Sequence, residues 1–482
     1  MKLLHTFCLR FVMGSALVSL ALGSAPALAQ GTTPAQTAAL QNAATPGNNI
    51  RTFTLEECLK FALGDNPEIL AASGQFQEAA GRTKSAFASF LPTLSINGGY
   101  NRGLNDTTLN IFPRQNPDTK QVELAFTPFY NPEIFRNNFA LNANLNYTVF
   151  NGFQRENVYA QAQASQSASD YTLSQTRRRI LASVRSQYLA VMRVKQILRV
   201  RQEDFTIGKK QLERIRAQFE AGVIPIATVF TQEADLANRE LAVVQAENDV
   251  ELAKGTLLST LGLNPGAAAD FADLATPQTL TPSDMQAFRA TVGDFSKAFS
   301  SALEKRADFA ASKASLDAAN AGIAVANAAW LPTVNASAGY NWNSPAVGNF
   351  QYGSQSLGIN FRYLLFDGFD RDASNQRARA QVSQIEAQKR QAEQRIASDV
   401  QNGFIQLNTS EKNLDITARA LKAAQQNFDA AEERFKVGAA NILDLTTANA
   451  NLATAKINRI TALYNYLGAQ YQMKFALGTL DE

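Results

Sequence analysis

Cysteine, histidine and tryptophan are nearly missing from this 482-residue chain, which has two, one and two of them respectively. Cys8 and His5 both lie at the start, where Met1-Lys2-Leu3-Leu4, Arg10, the apolar stretch from Phe11 to Leu22 and Ala27-Leu28-Ala29 form a basic, apolar, small-residue series. That series predicts a cleaved secretory signal over residues 1–29. Cleavage leaves Cys58 alone and no histidine, which excludes an intramolecular disulfide and a Cys/His metal cluster. Cys58 then reads as a small buried apolar residue, too far from the cleavage site to carry lipid at a new N-terminus. Long apolar runs are also missing. After the signal no segment approaches 18 uninterrupted apolar residues, so no helix is expected to span a bilayer and any membrane contact falls to strands. No nucleophile elbow or metal motif is present, so a hydrolase would need an unusual carboxylate or Ser/Lys site. No cofactor is expected, and the absence of aromatic base-stacking motifs in an exported chain argues against nucleic acid.

What the chain does contain is a change of period. From Asn138 to Phe150, Phe139, Leu141, Ala143, Leu145, Tyr147 and Val149 alternate with Asn138, Asn142, Asn144, Asn146 and Thr148, which predicts a strand with one apolar and one polar face. At Asn151-Gly152 the period switches, and no proline interrupts until Pro225. One helix of about 100 Å fits that interval at 1.5 Å per residue. Val184, Val191, Leu198, Phe205, Leu212 and Phe219 recur every seventh residue along it, the spacing of helices coiled on helices. The design returns 216 residues later. Leu357, Ile359, Phe361, Tyr363 and Leu365 alternate with polar residues, Phe366-Asp367-Gly368-Phe369 turns the chain, and Val400, Leu407, Leu414, Leu421, Phe428 and Phe435 repeat the sevens. Leu91-Pro92-Thr93 and Leu331-Pro332-Thr333 mark a further strand in each copy, offset by 240 residues, so the first strand-to-strand connection is 24 residues longer than the second.

These signals predict the following organisation. Residues 30–50, rich in Ala, Thr, Gln, Asn and Gly, are a flexible lead-in. A first structural repeat spans 51–263, with strands 93–102 and 138–150, a long helix 152–219 and a helix 226–261. Residues 264–294 are a linker. A second repeat spans 295–482, with strands 333–342 and 354–366, a long helix 368–437 and a helix 441–477. Residues 103–137, with four prolines, read as a long loop. The span 153–219 carries thirteen Arg and Lys against five Asp and Glu, which suits a solvated face or a charged tunnel wall.

Strands of about ten residues are long enough to cross a bilayer when tilted. Four of them cannot close, and open edges in lipid leave backbone groups without partners at several kcal/mol each, so chains must associate. Eight strands make a barrel filled by its own side chains, whereas twelve leave a lumen for the Asn-rich faces, so three chains are the smallest open solution. Tyr100, Tyr147, Tyr340, Trp342 and Tyr363 read as interfacial aromatics, or as ordinary β-surface packing.

The paired Leu-Pro-Thr strand openings, Phe-Asn/Asp-Gly-Phe at 150 and 366, Phe-x-x-Gly at 219 and 435, Tyr464-Asn465-Tyr466-Leu467, and Phe475 to Leu480 together resemble the TolC family of outer-membrane factors over essentially the whole mature sequence. The resemblance implies a mainly α fold with a transmembrane β-barrel: a homotrimer with a 12-stranded β-barrel, four strands per chain, and a long coiled-coil α-helical barrel built from two internal repeats. It implies an outer-membrane exit duct of a Gram-negative bacterium with a periplasmic extension, serving efflux or type I secretion. It also implies a periplasmic adaptor and an inner-membrane RND or ABC transporter that supplies energy, consistent with the lack of a Walker motif. Carried over by position, the family's periplasmic gate falls on Asp444, which holds a ring-aspartate place, on Thr447 where a second is expected, on Thr228 and Ala440 in place of an acidic link and its arginine, and on Phe435 in place of a tyrosine. Such a gate is locked by packing more than by charge. Asp444 also suits a plain helix N-terminal acid. The tip turns Gly222, Val223, Pro225, Gly438 and Ala439 are expected to receive the adaptor, and Gly222 and Gly438 also suit helix C-caps at positive φ. A pore-free coiled-coil scaffold or adhesin is the competing reading.

Overall fold

Alternation over four separated segments builds one antiparallel sheet in the computed structural model, which describes residues 51–102, 108–129, 137–273, 282–344 and 352–480. The expected signal and lead-in lie outside the described residues. The sheet strands are β2 (Thr93–Asn101), β5 (Asn138–Phe150), β7 (Thr333–Ser344) and β8 (Tyr352–Arg362), in the order β2-β5-β7-β8. Register pairs Leu94 with Leu145, Leu145 with Ala338, and Ala338 with Leu357, so one face is apolar across all four strands. The opposite face pairs Asn97 with Asn142 and Asn142 with Asn341. A bulge between Thr148 and Phe150 ends the ladder at the helical side. Among the described residues no layer covers the apolar face: Leu357 is 88% exposed, Ile359 76% and Leu94 69%.

Beyond the sheet the heptad segments form α3 (Gln154–Glu220) and α8 (Asp370–Lys436), each of 67 residues and 216 residues apart in number. Shorter helices run beside them: α2 (Pro67–Ala88) and α4 (Ile226–Thr260) pack on α3, while α7 (Ala307–Ala328) and α9 (Ile442–Leu477) lie between α3 and α8. Asn66 caps α2 through a 2.9 Å bond to the Glu68 N–H, and Pro67 occupies the first turn, where its missing donor costs nothing. One flank is therefore β2, α2 and α4, and the other is β8 and α8. Burial follows the sevens along Val184, Val191 and Leu212 and along Val400, Leu407 and Leu414, but Phe219 is 39% exposed.

Around the middle of α3 sits a small belt. β1 (Arg51–Phe53) pairs in parallel with β6 (Ala269–Phe271), and α1 (Leu55–Asp65) starts at a capping box between Thr54 and Glu57. The Tyr188 hydroxyl donates to the Ala272 carbonyl at 2.5 Å, and Lys195 Nζ reaches Asp270 Oδ1 at 2.9 Å and the Phe271 carbonyl at 2.8 Å. Cys58 is fully buried there, and burial, with the Glu57 charge adding, pushes its thiol up to about 12, so it behaves as an apolar filler. On the second repeat α5 (Pro282–Val292) and α6 (Phe295–Lys305) cover α8 and α9 through Phe288, Ala298, Ala302, Val400 and Met473.

The structure corrects several expected boundaries. The 103–137 loop contains a hairpin, β3 (Thr108–Gln115) with β4 (Val122–Phe129), whose prolines Pro113 and Pro128 are tolerated because a two-stranded ribbon has free edges. The 264–294 linker contains β6, whose three residues are too short to show a period, and α5, of 11 residues. The strand expected over 354–366 runs from Tyr352 to Arg362, because Leu364, Leu365 and Phe366 leave the ladder for the turn into α8. The expected strand 333–342 extends to Ser344, and the helix expected from 368 begins at Asp370, after Gly368 and Phe369 at positive φ.

Candidate functional site

Two regions hold the residues singled out from the sequence: the sheet and the far ends of the long helices. In the sheet, Tyr100 pairs across from Phe139, Tyr147 from Ala336, Tyr340 from Ala143 and Trp342 from Leu141, which puts all four aromatics on the apolar face. The rings of Tyr340 and Trp342 lie 4.1 Å apart, tilted by 39°, and Tyr100 lies 4.7 Å from Phe139. These sit toward the loop end of the strands. Tyr147 lies nearer the helix end, and Tyr363, half exposed, follows the last ladder residue.

Where strand becomes helix, each repeat uses an arginine clamp that the sequence reading missed. Arg155 donates to the Thr148 carbonyl at 2.6 Å and the Val149 carbonyl at 3.3 Å and lies 5.1 Å from the Phe90 ring centre. Arg371 bonds Asp367 Oδ2 at 2.7 Å and the Leu365 carbonyl at 3.3 Å and lies 4.4 Å from the Trp330 ring centre. Both guanidiniums thus satisfy carbonyls that the ending ladder frees. The signal was present in the sequence: Arg155 and Arg371 share the 216 offset, and Phe90 and Trp330 share the 240 offset.

At the helix ends two turns close the hairpins. Gly222 and Gly438 hold φ of +74° and +75°, and in each the glycine N–H and the next N–H return to the preceding turn: Gly222 to Phe219 at 2.8 Å, Val223 to Gln218 at 2.9 Å, Gly438 to Phe435 at 3.1 Å and Ala439 to Arg434 at 2.8 Å. This double bond pattern needs the left-handed position that glycine occupies freely. Pro225 precedes α4 with no side-chain cap, and Val223 is 72% exposed. On the second hairpin Asn441 Oδ1 accepts from the Asp444 N–H at 2.9 Å.

The five gate residues do not converge on one contact. Asp444 and Thr447 are exposed, three positions apart on the first turns of α9. Thr228 and Ala440 are half-buried. Phe435 is the one that packs, against Leu212, Ile215 and Val229 of the first hairpin and against Ala431, Leu445 and Ala448 of the second, with Ile442 beside it. Deeper in, a buried polar group joins three helices. Arg239 bonds Asp235 at 2.7 Å and pairs with Asp204, the Asn449 amide donates to Asp204 Oδ1 at 2.6 Å, and Gln232 donates to Asp235 at 3.2 Å. Burial raises the Asp204 carboxyl against the opposing pull of Arg239 and Asn449. Of this network only the Asp235/Arg239 spacing of four was visible in the sequence, since Asp204 and Asn449 are 245 positions apart.

The model of the outer membrane efflux protein family matches residues 59–263 and 298–479. The chain belongs to the outer membrane efflux protein family. Such a protein is an outer-membrane export channel component and not an enzyme. Protein CyaE of Bordetella pertussis is 24% identical over 409 residues, 84% of this chain and 80% of that protein. Outer membrane protein TolC of Vibrio cholerae is 24% identical over 436 residues, covering 89% of this chain and 91% of its own. The crystal structure of the Campylobacter jejuni CmeC outer membrane channel superposes with a TM-score of 0.70 at 16% identity, covering 88% of this chain and 86% of that one. The sheet of this outer membrane efflux protein thus has one apolar face and one amide-rich face, the alternation that membrane strands use.

Proposed function

We propose that three copies of this chain close into one 12-stranded barrel and continue as a helical duct, through which an inner-membrane transporter expels solute across the outer membrane. The sheet with one lipid-compatible face, one hydrated face and two unpaired edges carries this reading. Among the described residues of one chain β2 and β8 have a partner on one side only. In hydrocarbon each open backbone group costs several kcal/mol, so closure is required, and twelve strands are the smallest number that leaves a lumen. The helical flanks are prepared for the same joint. Phe230, Leu241 and Leu252 are 61%, 55% and 70% exposed along α4, and Ile405 and Ile416 are 53% and 54% exposed along α8. Residues eleven apart lie about three turns apart on one line, so each flank presents an apolar seam. Joining the α4 flank of one copy to the α8 flank of the next is a head-to-tail contact, which a rotation closes into a ring.

At the far end the packed cluster around Phe435 and Ile442 is the closing element, with Asp444 as a charge beside the mouth. An adaptor protein docks on the turns at Gly222, Val223, Pro225, Gly438 and Ala439, where Val223 and Val437 are 72% and 77% exposed. The adaptor connects the duct to an RND or ABC transporter, and the duct itself stays passive. In planar bilayers the purified chain gives stepwise conductance, and Asp444→Asn weakens block by divalent cations added at the tip end about tenfold. Bilayers that stay silent over all salt and pH conditions refute the duct, while an unchanged cation block removes Asp444 from its mouth.

A further inference from the structure

The four sheet strands, of 9, 13, 12 and 11 residues, carry a single charged side chain, Arg362. Its ladder partner is Thr333, and the next residues on that face are Asn335 with Asn360, then Ser337 with Gly358. Arg362 therefore stands on the hydrated face, at the end where β8 leads toward α8. Its side chain is exposed and enters no hydrogen bond or ion pair among the described residues. The neighbouring charges are engaged elsewhere: Asp367 holds Arg371 at 2.7 Å, Glu156 holds Arg155 at 3.0 Å, and Asp370 lies 3.9 Å from Arg377. A charge needed for the fold is clamped, as Arg155 and Arg371 are. Arg362 is not.

Resting on the three-copy duct reading, we propose that Arg362 of each copy forms a ring of guanidinium groups at the inner end of the barrel, a binding and selection site for anionic solutes. Strands about 4.8 Å apart and tilted about 40° give twelve of them a backbone radius of roughly 12 Å. A guanidinium reaching about 6 Å inward brings three positive charges within roughly one Debye length of the axis and of each other, so they act on a passing ion together. The rest of the wall is neutral amide, hydroxyl and glycine, with rows such as Asn97, Asn142, Asn341 and Ser354. Such a wall neither repels nor holds ions, so one cationic ring dominates the barrel's field.

The test uses the full chain in planar bilayers with ferricyanide, a trivalent anion, added on the barrel side. Wild-type channels are blocked in a voltage-dependent manner, Arg362→Lys keeps the block, Arg362→Gln weakens it about tenfold or more, and Arg362→Glu replaces it with block by a polyvalent cation from the same side. Conducting wild-type channels that ferricyanide does not block, or block that survives Arg362→Gln, overturn the ring while leaving the duct intact. Absence of conductance in the wild type overturns the duct itself. Arg362→Glu channels no more sensitive to the polyvalent cation than Arg362→Gln channels likewise refute the ring, since the two differ by three charges at it.

Discussion

Gly152 and Gly368 take the same left-handed turn, φ +68° at both, and each is followed by a phenylalanine also at positive φ, Phe153 at 62° and Phe369 at 72°. Their surroundings differ. A Cβ on Gly152 would meet the Ala328 carbonyl oxygen at 2.5 Å and Leu331 Cβ at 2.8 Å, whereas nothing lies within 4 Å of one on Gly368. Left-handed backbone alone costs a residue with Cβ about 1–2 kcal/mol. Gly368→Ala should lose about that much, while Gly152→Ala should lose about 1–3 kcal/mol more, because backbone must shift. Thermal melting of the two purified variants followed by circular dichroism checks this. Equal losses would show that the first junction has room to relax.

At the scale of elements, the buried link between α3, α4 and α9 sets how firmly the two hairpins hold each other. The side chains of Arg239 and Asp204 are 6% and 12% exposed, so removing one leaves the other uncompensated. Arg239→Met should destabilise the helical part by about 3–5 kcal/mol at neutral pH. The sign with pH follows from Asp204, whose folded-state pKa is already raised by burial. A raised carboxyl contributes stability below its unfolded pKa and loses it as pH rises through the folded value. Without Arg239 that pKa moves higher, so the melting temperature of Arg239→Met should fall further behind wild type at pH 8 than at pH 5. A deficit independent of pH would mean that water reaches Asp204. The same elements show what the sequence could reveal. Alternating strands and sevens were legible because their periods are local and extend over many residues. The β1 and β6 pair was not, since three residues carry no period and the partners lie more than 200 positions apart. Nor was the packing of Phe435 against Val229, a contact between hairpins, while Thr228, the residue singled out by position, lies one place away from it.

At the scale of the assembled molecule, the seams on α4 and α8 separate association from folding. Leu241 and Ile416 are more than half exposed in one chain, so a charge there leaves the single chain's core untouched. In the proposed three-copy ring, Leu241→Asp or Ile416→Asp should each weaken assembly by about 1.5–3 kcal/mol at every one of three equal joints, with the secondary structure unchanged. Sedimentation in detergent should show a larger share of single chains, and a distribution identical to wild type would place these seams away from the joint. Offsets within the chain have one more consequence for a three-copy ring. The hairpin turns at Gly222 and Gly438 keep the 216 spacing of the long helices, whereas among the described residues β3 and β4 occur in the first repeat alone. In such a proposed ring a partner meeting the tips would find six nearly equivalent positions around the axis, while anything approaching from the cell's exterior would find only three, so the two mouths of one pore would differ in rotational order.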